Sequence, residues 1–208
     1  MIKLQGKLPR QVWLAVSGGV DSMAALDFLR RNHDVHAVHF NHGTSHAQEA
    51  ESFVKYQCAK YNIPLMIGRM DEDDINWPPP RQSKEDWWRE CRYKFLDQFF
   101  TVPVITCHHL DDCVETWVWS SMHGTGKIVP YRRNHIIRPF RSTRKRDLEL
   151  WARLHNVDWI EDDSNADVRY TRNYIRNVMM PHVLKVNPGI YKTIAKKVKE
   201  DTDGVCNS

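Results

Sequence analysis

The sequence predicts an α/β protein, a doubly wound parallel sheet followed by a C-terminal helical segment. Three observations carry that reading. Strand-like apolar runs alternate with helix-length amphipathic stretches four times over residues 12–122, and only helical periodicity follows residue 143. The first apolar run also meets the first helix through a glycine turn, at the place where such sheets bind ligands.

Residues 12–16 are apolar and β-branched, hence a buried strand, and Met23, Ala24, Ala25, Leu26, Phe28 and Leu29 line the inner side of a helix opening near Asp21. Residues 35–40 alternate as a strand and end at Asn41-His42-Gly43. Ala47, Ala50, Phe53, Val54, Cys58 and Tyr61 then recur at helical spacing, and 64–68 is a short strand. Residues 71–74 and 77–80 break the pattern, because three consecutive prolines remove three donors; the stretch reads as an exposed loop. Ser83, with Asp86 three residues on, caps a helix running to about Phe100. Residues 102–107 form the fourth strand. A helix follows from Asp111, capped by Asp111 itself, with Trp117, Val118, Trp119 and Met122 core-like, and it ends at Gly124-Thr125-Gly126. Then come a last short strand at 136–140, an amphipathic helix at 144–154, a polar loop at 159–165, a basic helix at 172–184, a closing helix at 188–198 and a frayed end at 201–208. Residues 1–142 thus read as the sheet domain and 143–208 as a helical extension of the same unit.

With 208 residues, 41% hydrophobic and 27% charged, the chain can bury a full core. No apolar run approaches the roughly 20 residues of a membrane span, and the first residues lack a signal-peptide core, so a cytoplasmic protein with no membrane partner is expected. Five cysteines without a Cys-x-x-Cys argue against a disulfide framework, a zinc ribbon and paired sulfur-transferring thiols. The net charge of +4 is unevenly spread: from Lys127 to Arg146 there are eight Lys or Arg and no Asp or Glu. Such a run, with Lys127, Arg132, Arg133, Arg138 and Arg141 in it, reads as a phosphate-backbone footprint.

The turn Ser17-Gly18-Gly19-Val20-Asp21-Ser22 is where a phosphate would rest. Paired glycines let the backbone approach a ligand, the amides of a helix N-terminus carry partial positive charge, and Ser17 and Ser22 add hydroxyls. Taken alone, an ordinary turn capped by Ser17 or Asp21 accounts for it as well. Neither Gly-x-x-x-x-Gly-Lys-Ser/Thr nor Gly-x-Gly-x-x-Gly is present. Asn41 and His42 are either nucleotide neighbours or a surface turn with a capping Asn. Arg89 would fork onto a phosphate or carboxylate if its helix face looks into the crevice. In His108-His109-Leu110-Asp111-Asp112-Cys113-Val114-Glu115, helical spacing puts Asp112 and Glu115 on one face. Two close carboxylates need a cation, and their oxygens suit Mg²⁺ bridging to a polyphosphate.

The six residues Ser17 to Ser22 resemble the Ser-Gly-Gly-x-Asp-Ser loop of the PP-loop ATP pyrophosphatases, which split ATP into AMP and pyrophosphate while adenylating a carbonyl oxygen. Further stretches resemble one branch, the tRNA(Ile)-lysidine synthetases. They are Asn41-His42-Gly43, Glu85 with Arg89-x-x-Arg92-Tyr93, and His108-His109-Leu110-Asp111-Asp112-x-x-Glu115-Thr116. Beyond these lie Arg138-Pro139, Trp159-Ile160-Glu161-Asp162-x-Ser164-Asn165, Arg172-Asn173-x-Ile175-Arg176 and Pro181.

The resemblance implies an adenine nucleotide alpha hydrolase-like fold and an ATP-dependent ligase that joins L-lysine to carbon 2 of the wobble cytidine of tRNA(Ile) with the anticodon CAU. By that resemblance Ser17, Gly18, Gly19, Val20 and Ser22 hold the pyrophosphate, with Asn41 and His42 near the nucleotide. Asp21, Asp112 and Glu115 hold Mg²⁺, or the carboxylates orient and deprotonate the lysine ammonium. Arg89 neutralises phosphate charge, His109 contacts base or nucleotide, and Tyr170, Arg172, Asn173 and Arg176 face the cytidine. The family's separate C-terminal tRNA-binding domains are expected to be absent. The basic run, in place of a longer glycine- and leucine-containing segment, is expected to substitute for them in part. Two other readings stay open, a PP-loop enzyme with sulfur or ammonia as nucleophile and a non-catalytic tRNA-binding homologue.

Overall fold

The computed structural model describes residues 1–70, 82–99, 102–161 and 167–206. The strands are β1 (Gln11–Ala15), β2 (Asp34–Asn41), β3 (Leu65–Arg69), β4 (Val104–Ile105), β5 (Arg132–Arg133) and β6 (Ile136–Ile137). They form one sheet in the order β3-β2-β1-β4-β6-β5, parallel throughout except for β5, which runs antiparallel to β6. The helices are α1 (Val20–Arg30), α2 (Ser45–Lys60), α3 (Lys84–Leu96), α4 (Leu110–Met122), α5 (Lys145–Leu154), α6 (Thr171–Tyr174), α7 (Met180–Val186) and α8 (Ile190–Cys206). A π-helical turn, Ile175–Met179, joins α6 to α7. From β1 the chain winds outward to β2 and β3 and returns to β4 on the other side of β1. The carboxyl ends of β1 and β4 therefore flank a topological switch point.

Both faces of the sheet are covered, which explains why β1 and β4 read as nearly continuous apolar runs. On one face Val12 and Leu14 pack with Met23, Ala25 and Leu26 of α1 and with Leu148 and Ala152 of α5. Asp27 clamps that layer, accepting from Arg30, Arg31 and the Trp151 indole at 3.0 Å. On the other face Val38, Val104 and Ile136 meet Tyr93, Leu96 and Phe99. A further cluster joins α4, through Leu110, Cys113, Val114 and Val118, to Ile175, Met180 and, on α8, Ile190, Ile194 and Val198. This packing lays the π-helical turn against α4. Among the described residues no helix is long and apolar enough to cross a membrane.

Several elements differ from the sequence reading. The last strand stops at Ile137, because Pro139 has no N–H to donate and opens a 3₁₀ turn, Pro139–Ser142. Its partner β5 was not anticipated; Asn134, at φ +55°, makes the tight reversal between them. The fourth strand is only two residues long, and the third helix ends at Leu96 rather than Phe100. The C-terminus does not fray at residue 201: α8 runs to Cys206, held where Asp201 accepts from the Tyr131 amide at 2.8 Å and from Arg141 at 2.7 Å. Trp119 and Met122 are exposed at 44% and 55%, not core. The acidic and proline-rich loop at 71–80, Phe100 and the motif residues Asp162, Ser164 and Asn165 lie outside the described residues.

Candidate active site

At the carboxyl end of β1 the chain turns through Gly18, whose φ of +92° is open to glycine and strained for any L side chain. A Cβ there would also sit 3.1 Å from the Ile160 side chain, while the Ile160 amide donates to the Gly18 carbonyl at 3.0 Å. Ile160 thus braces the turn from behind. Ser22 holds it from within: its hydroxyl donates to the Gly19 carbonyl at 2.9 Å, accepts from the Ser17 amide at 3.1 Å and lies 3.1 Å from the Ser17 hydroxyl. Gly19, rather than Ser17 or Asp21, is the N-cap of α1, and no side chain satisfies the first amides. Helix-opening amides without a side-chain cap suit an anion, and Val20 is among them here.

Across the switch point, β4 leads into α4. The N-cap there is His109, not Asp111. Its Nδ1 accepts from the Asp112 amide at 3.3 Å while its own amide donates to Asp112 Oδ2 at 2.9 Å. This reciprocal cap fixes Nε2 as the N–H-bearing nitrogen of the neutral ring, and Nε2 lies 3.5 Å from Asp21 Oδ2. The buried imidazole therefore ties the glycine turn to the acidic helix. Burial disfavours its charge, but Asp112, Asp21 and Asp111 outweigh that and raise its pKa above the usual histidine value. The neighbouring His108 goes the other way: burial, reinforced by Arg138, Arg172 and Arg92, keeps it neutral. Asp111 turns outward to Arg144 at 3.1 Å, to the Lys145 amide at 2.8 Å and to the Tyr191 hydroxyl at 3.0 Å, joining α4 to α5 and α8.

Asp112 and Glu115 share one buried face, as their spacing predicts, and the cation between them is a pair of guanidiniums. Arg172 Nη2 lies 2.6 Å from Asp112 Oδ1. Arg176 grips Glu115 with Nε at 2.7 Å and Nη2 at 2.9 Å and reaches Asp112 Oδ1 at 3.3 Å. Burial opposes the charge on Asp112, but His109 and Arg172 hold its carboxyl well below the usual range. Arg172 and Arg176, expected to face RNA, thus serve the carboxylates. The expected Mg²⁺ site of Asp21, Asp112 and Glu115 is not assembled: among the described residues no three His, Cys, Asp or Glu side chains converge as metal ligands. Asp21 keeps one buried oxygen, Oδ1, without a hydrogen-bond partner among the described residues.

The other predicted residues divide. Asn41 is buried and committed to its own turn, donating to Glu51 at 2.8 Å and accepting from the Gly43 amide at 2.7 Å, so it is not free for a nucleotide. His42 packs between Phe40 and Trp88, and burial together with Arg92 lowers its pKa to about 4. Arg89 lies on the solvent side of α3, over the Tyr93 ring, in an open groove of about 420 Å³ shared with Asp86, Glu90 and Arg133. One turn on, Arg92 is the arginine directed inward: its charge is felt by His42 and His108, and burial with repulsion from Arg89 and Arg172 lowers its own pKa. Its only sequence signal was its place three residues after Arg89.

The basic run does not present one face. Lys127, Arg132 and Arg133 are exposed. Arg138 and Arg141 are fully buried and internal: Arg138 donates to the Pro130 carbonyl at 2.9 Å and the Tyr93 hydroxyl at 3.1 Å. Arg141 donates to the Val129 carbonyl and Asp201 at 2.7 Å and to Thr202 at 2.6 Å. Asn173 is likewise buried, its amide donating to the Asp167 carbonyl at 3.0 Å. Tyr170 remains exposed at 40%, beside Tyr174 at 46%.

Comparisons with known proteins bear on this arrangement. The sequence profile of the PP-loop domain matches residues 2–183. A tRNA(Ile)-lysidine synthase of Haemophilus ducreyi is 33% identical over 96% of the chain and 49% of its own length, and one of Thermotoga maritima 31% over 90% and 48%. The chain spans about half the length of these relatives. In fold it is similar to the U34-tRNA thiolase NcsA of Methanococcus maripaludis, with a TM-score of 0.76, 16% identity, and coverage of 95% of this chain and 73% of the other.

Proposed function

The chain belongs to the PP-loop domain family, and from that premise we propose that it is the catalytic part of a tRNA(Ile)-lysidine synthase. The substrate oxygen, O2 of the wobble cytidine in a CAU anticodon, attacks the α-phosphorus of ATP and pyrophosphate leaves. The side-chain nitrogen of lysine then bonds to carbon 2, the bond from that carbon to the adenylate oxygen breaks, and AMP departs. One observation carries the reading: His109 bridges Asp21, on the phosphate turn, and Asp112, on the acidic helix, so an anion seat and an amine seat share one crevice.

Within that reading the amides and hydroxyls from Ser17 to Ser22 hold the polyphosphate, and Arg92, directed inward from α3, offsets its charge. Mg²⁺ would accompany ATP as counter-ion, with the unpartnered oxygen of Asp21 as its point of contact with the protein. Lysine must lose a proton before it attacks, since an amine has an ordinary pKa near ~10.4. Asp112, whose own affinity for protons is low, is suited to bind and aim the ammonium, with Glu115 beside it on the same helix face. Exposed Lys127, Arg132 and Arg133 supply backbone contacts to RNA, and Tyr170 and Tyr174 supply faces for unstacked bases. Sulfur transfer has less support. Burial raises the thiol of Cys58 to about 11 and that of Cys113 to about 12 and pushes Cys107 well up, which makes them poor nucleophiles.

The test is incubation with ATP, Mg²⁺, labelled lysine and an isoleucine tRNA transcript. Label in the RNA accompanied by pyrophosphate is expected. A folded protein that leaves the RNA unlabelled contradicts the proposal, and mass spectrometry of the product would then reveal any other nucleophile.

A further inference from the structure

We infer that the outward face of α8 is an RNA-backbone surface: Lys192, Lys196 and Lys199 form a ridge that takes the phosphates of the RNA outside the reacting nucleotide. The inference rests on the tRNA reading above and adds which face of the chain the RNA crosses. Residues 168–199 hold eight Lys or Arg and no Asp or Glu, a second one-signed stretch beside the run at 127–146. The fold sorts its members. Arg172 and Arg176 are committed to Asp112 and Glu115, and Arg169 to Asp167 at 2.7 Å. Lys185, Lys192, Lys196, Lys197 and Lys199 are all exposed. Among the described residues the one ion pair these lysines make is Lys196 with Glu200, at 3.9 Å between two exposed groups, and such a pair contributes little.

Helix geometry turns three of them the same way. α8 buries Ile190, Ile194, Val198 and Thr202, which recur every four residues and define its inner side. Lys192, Lys196 and Lys199 stand at i, i+4 and i+7 on the opposite side, along about 10 Å of axis. Like charges at such spacing oppose helix formation, so packing accounts for the buried residues and not for the ridge. An anion laid along it removes the repulsion. The acids of α8, Glu200, Asp201 and Asp203, come only after the last of these lysines, and Asp201 is turned to Arg141.

Both ends of the ridge connect to features already described. Lys192 follows Tyr191, whose hydroxyl donates to Asp111 at 3.0 Å, and Asp111 adjoins Asp112 in the crevice. Further along the helix, Lys197 and Lys127 line one open groove of about 490 Å³, so the two basic stretches meet there although they lie far apart in the chain. RNA that delivers a base to the crevice brings its flanking phosphates with it, and flexible ammonium groups follow a backbone without reading bases.

Filter binding of an isoleucine tRNA transcript to the whole chain over a potassium chloride series tests this. With Lys192→Gln, Lys196→Gln and Lys199→Gln combined, the slope of log K against log salt should become shallower by about 2–3, three phosphate contacts at about 0.7–0.9 each. Exposed lysine-to-glutamine changes keep helix propensity, and circular dichroism should show an unchanged fold. Arginine at the same three positions should keep the wild-type slope. Arg10→Gln, which removes an exposed cation just before β1, should keep it as well. A triple glutamine protein with the wild-type slope overturns the inference and leaves the tRNA reading standing; loss of poly-glutamate binding by that same protein would then assign the ridge to an acidic protein. A slope that also falls in the arginine variant, or that falls as much per charge in Arg10→Gln, overturns it too, since the loss would not follow cations at this place. If wild-type protein does not bind the transcript at all, the tRNA reading itself fails and the inference goes with it.

Discussion

Replacing Arg141 with alanine should unfold the protein more readily while leaving RNA affinity of the folded fraction unchanged. The side chain is fully buried and makes three bonds of 2.6–2.7 Å, to the Val129 carbonyl, Asp201 and Thr202. Removing one partner of a buried ion pair costs about 3–5 kcal/mol. Asp201 is 32% exposed and can recover water, so the lower end, about 3 kcal/mol, applies. For a chain of this size that corresponds to a fall in Tm of about 6–12 °C. Urea denaturation should give the loss with an unchanged m-value, and filter binding to tRNA below the transition should give the wild-type dependence on salt. Arg133→Ala is the mirror image, with stability within about 0.5 kcal/mol and a salt slope reduced by about 0.7–0.9. A stable Arg141→Ala protein with a reduced salt slope would show that the arginine faces RNA and that the burial argument is wrong.

Gly18→Ala should cost about 1–3 kcal/mol through its positive φ and the approach to Ile160. It should also weaken ATP at least about tenfold in a thermal-shift titration, about 1.4 kcal/mol; undiminished ATP binding would remove the turn from the phosphate site. Glu51 lies beneath the β2 turn, where Arg69, against burial and with Lys55 and Asn41, lowers its carboxyl from 4.5 to about 2. Its stabilisation is therefore complete above pH 4.5 and lost as pH falls through about 2. Because Arg69 and Lys55 are more than half exposed, Glu51→Gln should cost only about 1–2 kcal/mol at pH 7. The gap to wild type should narrow below pH 4.5, and an undiminished gap at pH 3.5 contradicts the assignment.

What was legible in the sequence was local. The apolar run, glycine turn and helix around Ser17 to Ser22 concern neighbours in the chain, as does the spacing that puts Asp112 and Glu115 on one face, and both stand in the structure. What the carboxylates meet was not legible, because Arg172 pairs with Asp112 across 60 residues and nothing in the local pattern distinguishes it from an RNA-facing arginine. Arg138 and Arg141 were misread for the same reason. A guanidinium in a basic run looks solvated until the fold supplies the carbonyls of Pro130 and Val129 and the side chains of Tyr93 and Asp201. Asp111 was the conventional capping choice, yet His109 caps, since the buried imidazole also has Asp21 to face. Trp119 and Met122 show that apolar side chains at helical spacing are not obliged to be inside.

The central claim is that nucleotide activation and amine transfer use different ends of one crevice, the turn at Ser17 to Ser22 and the pair Asp112 and Glu115. Measuring tRNA-dependent pyrophosphate release and labelled-lysine incorporation in the same reaction, for Asp112→Asn and Glu115→Gln, tests it most directly. Incorporation should fall by at least about 10²–10³. Pyrophosphate release and tRNA affinity should stay within a few-fold of wild type. Equal loss of both reactions, or lysine incorporation that survives either substitution, would contradict the assignment of these carboxylates to the amine.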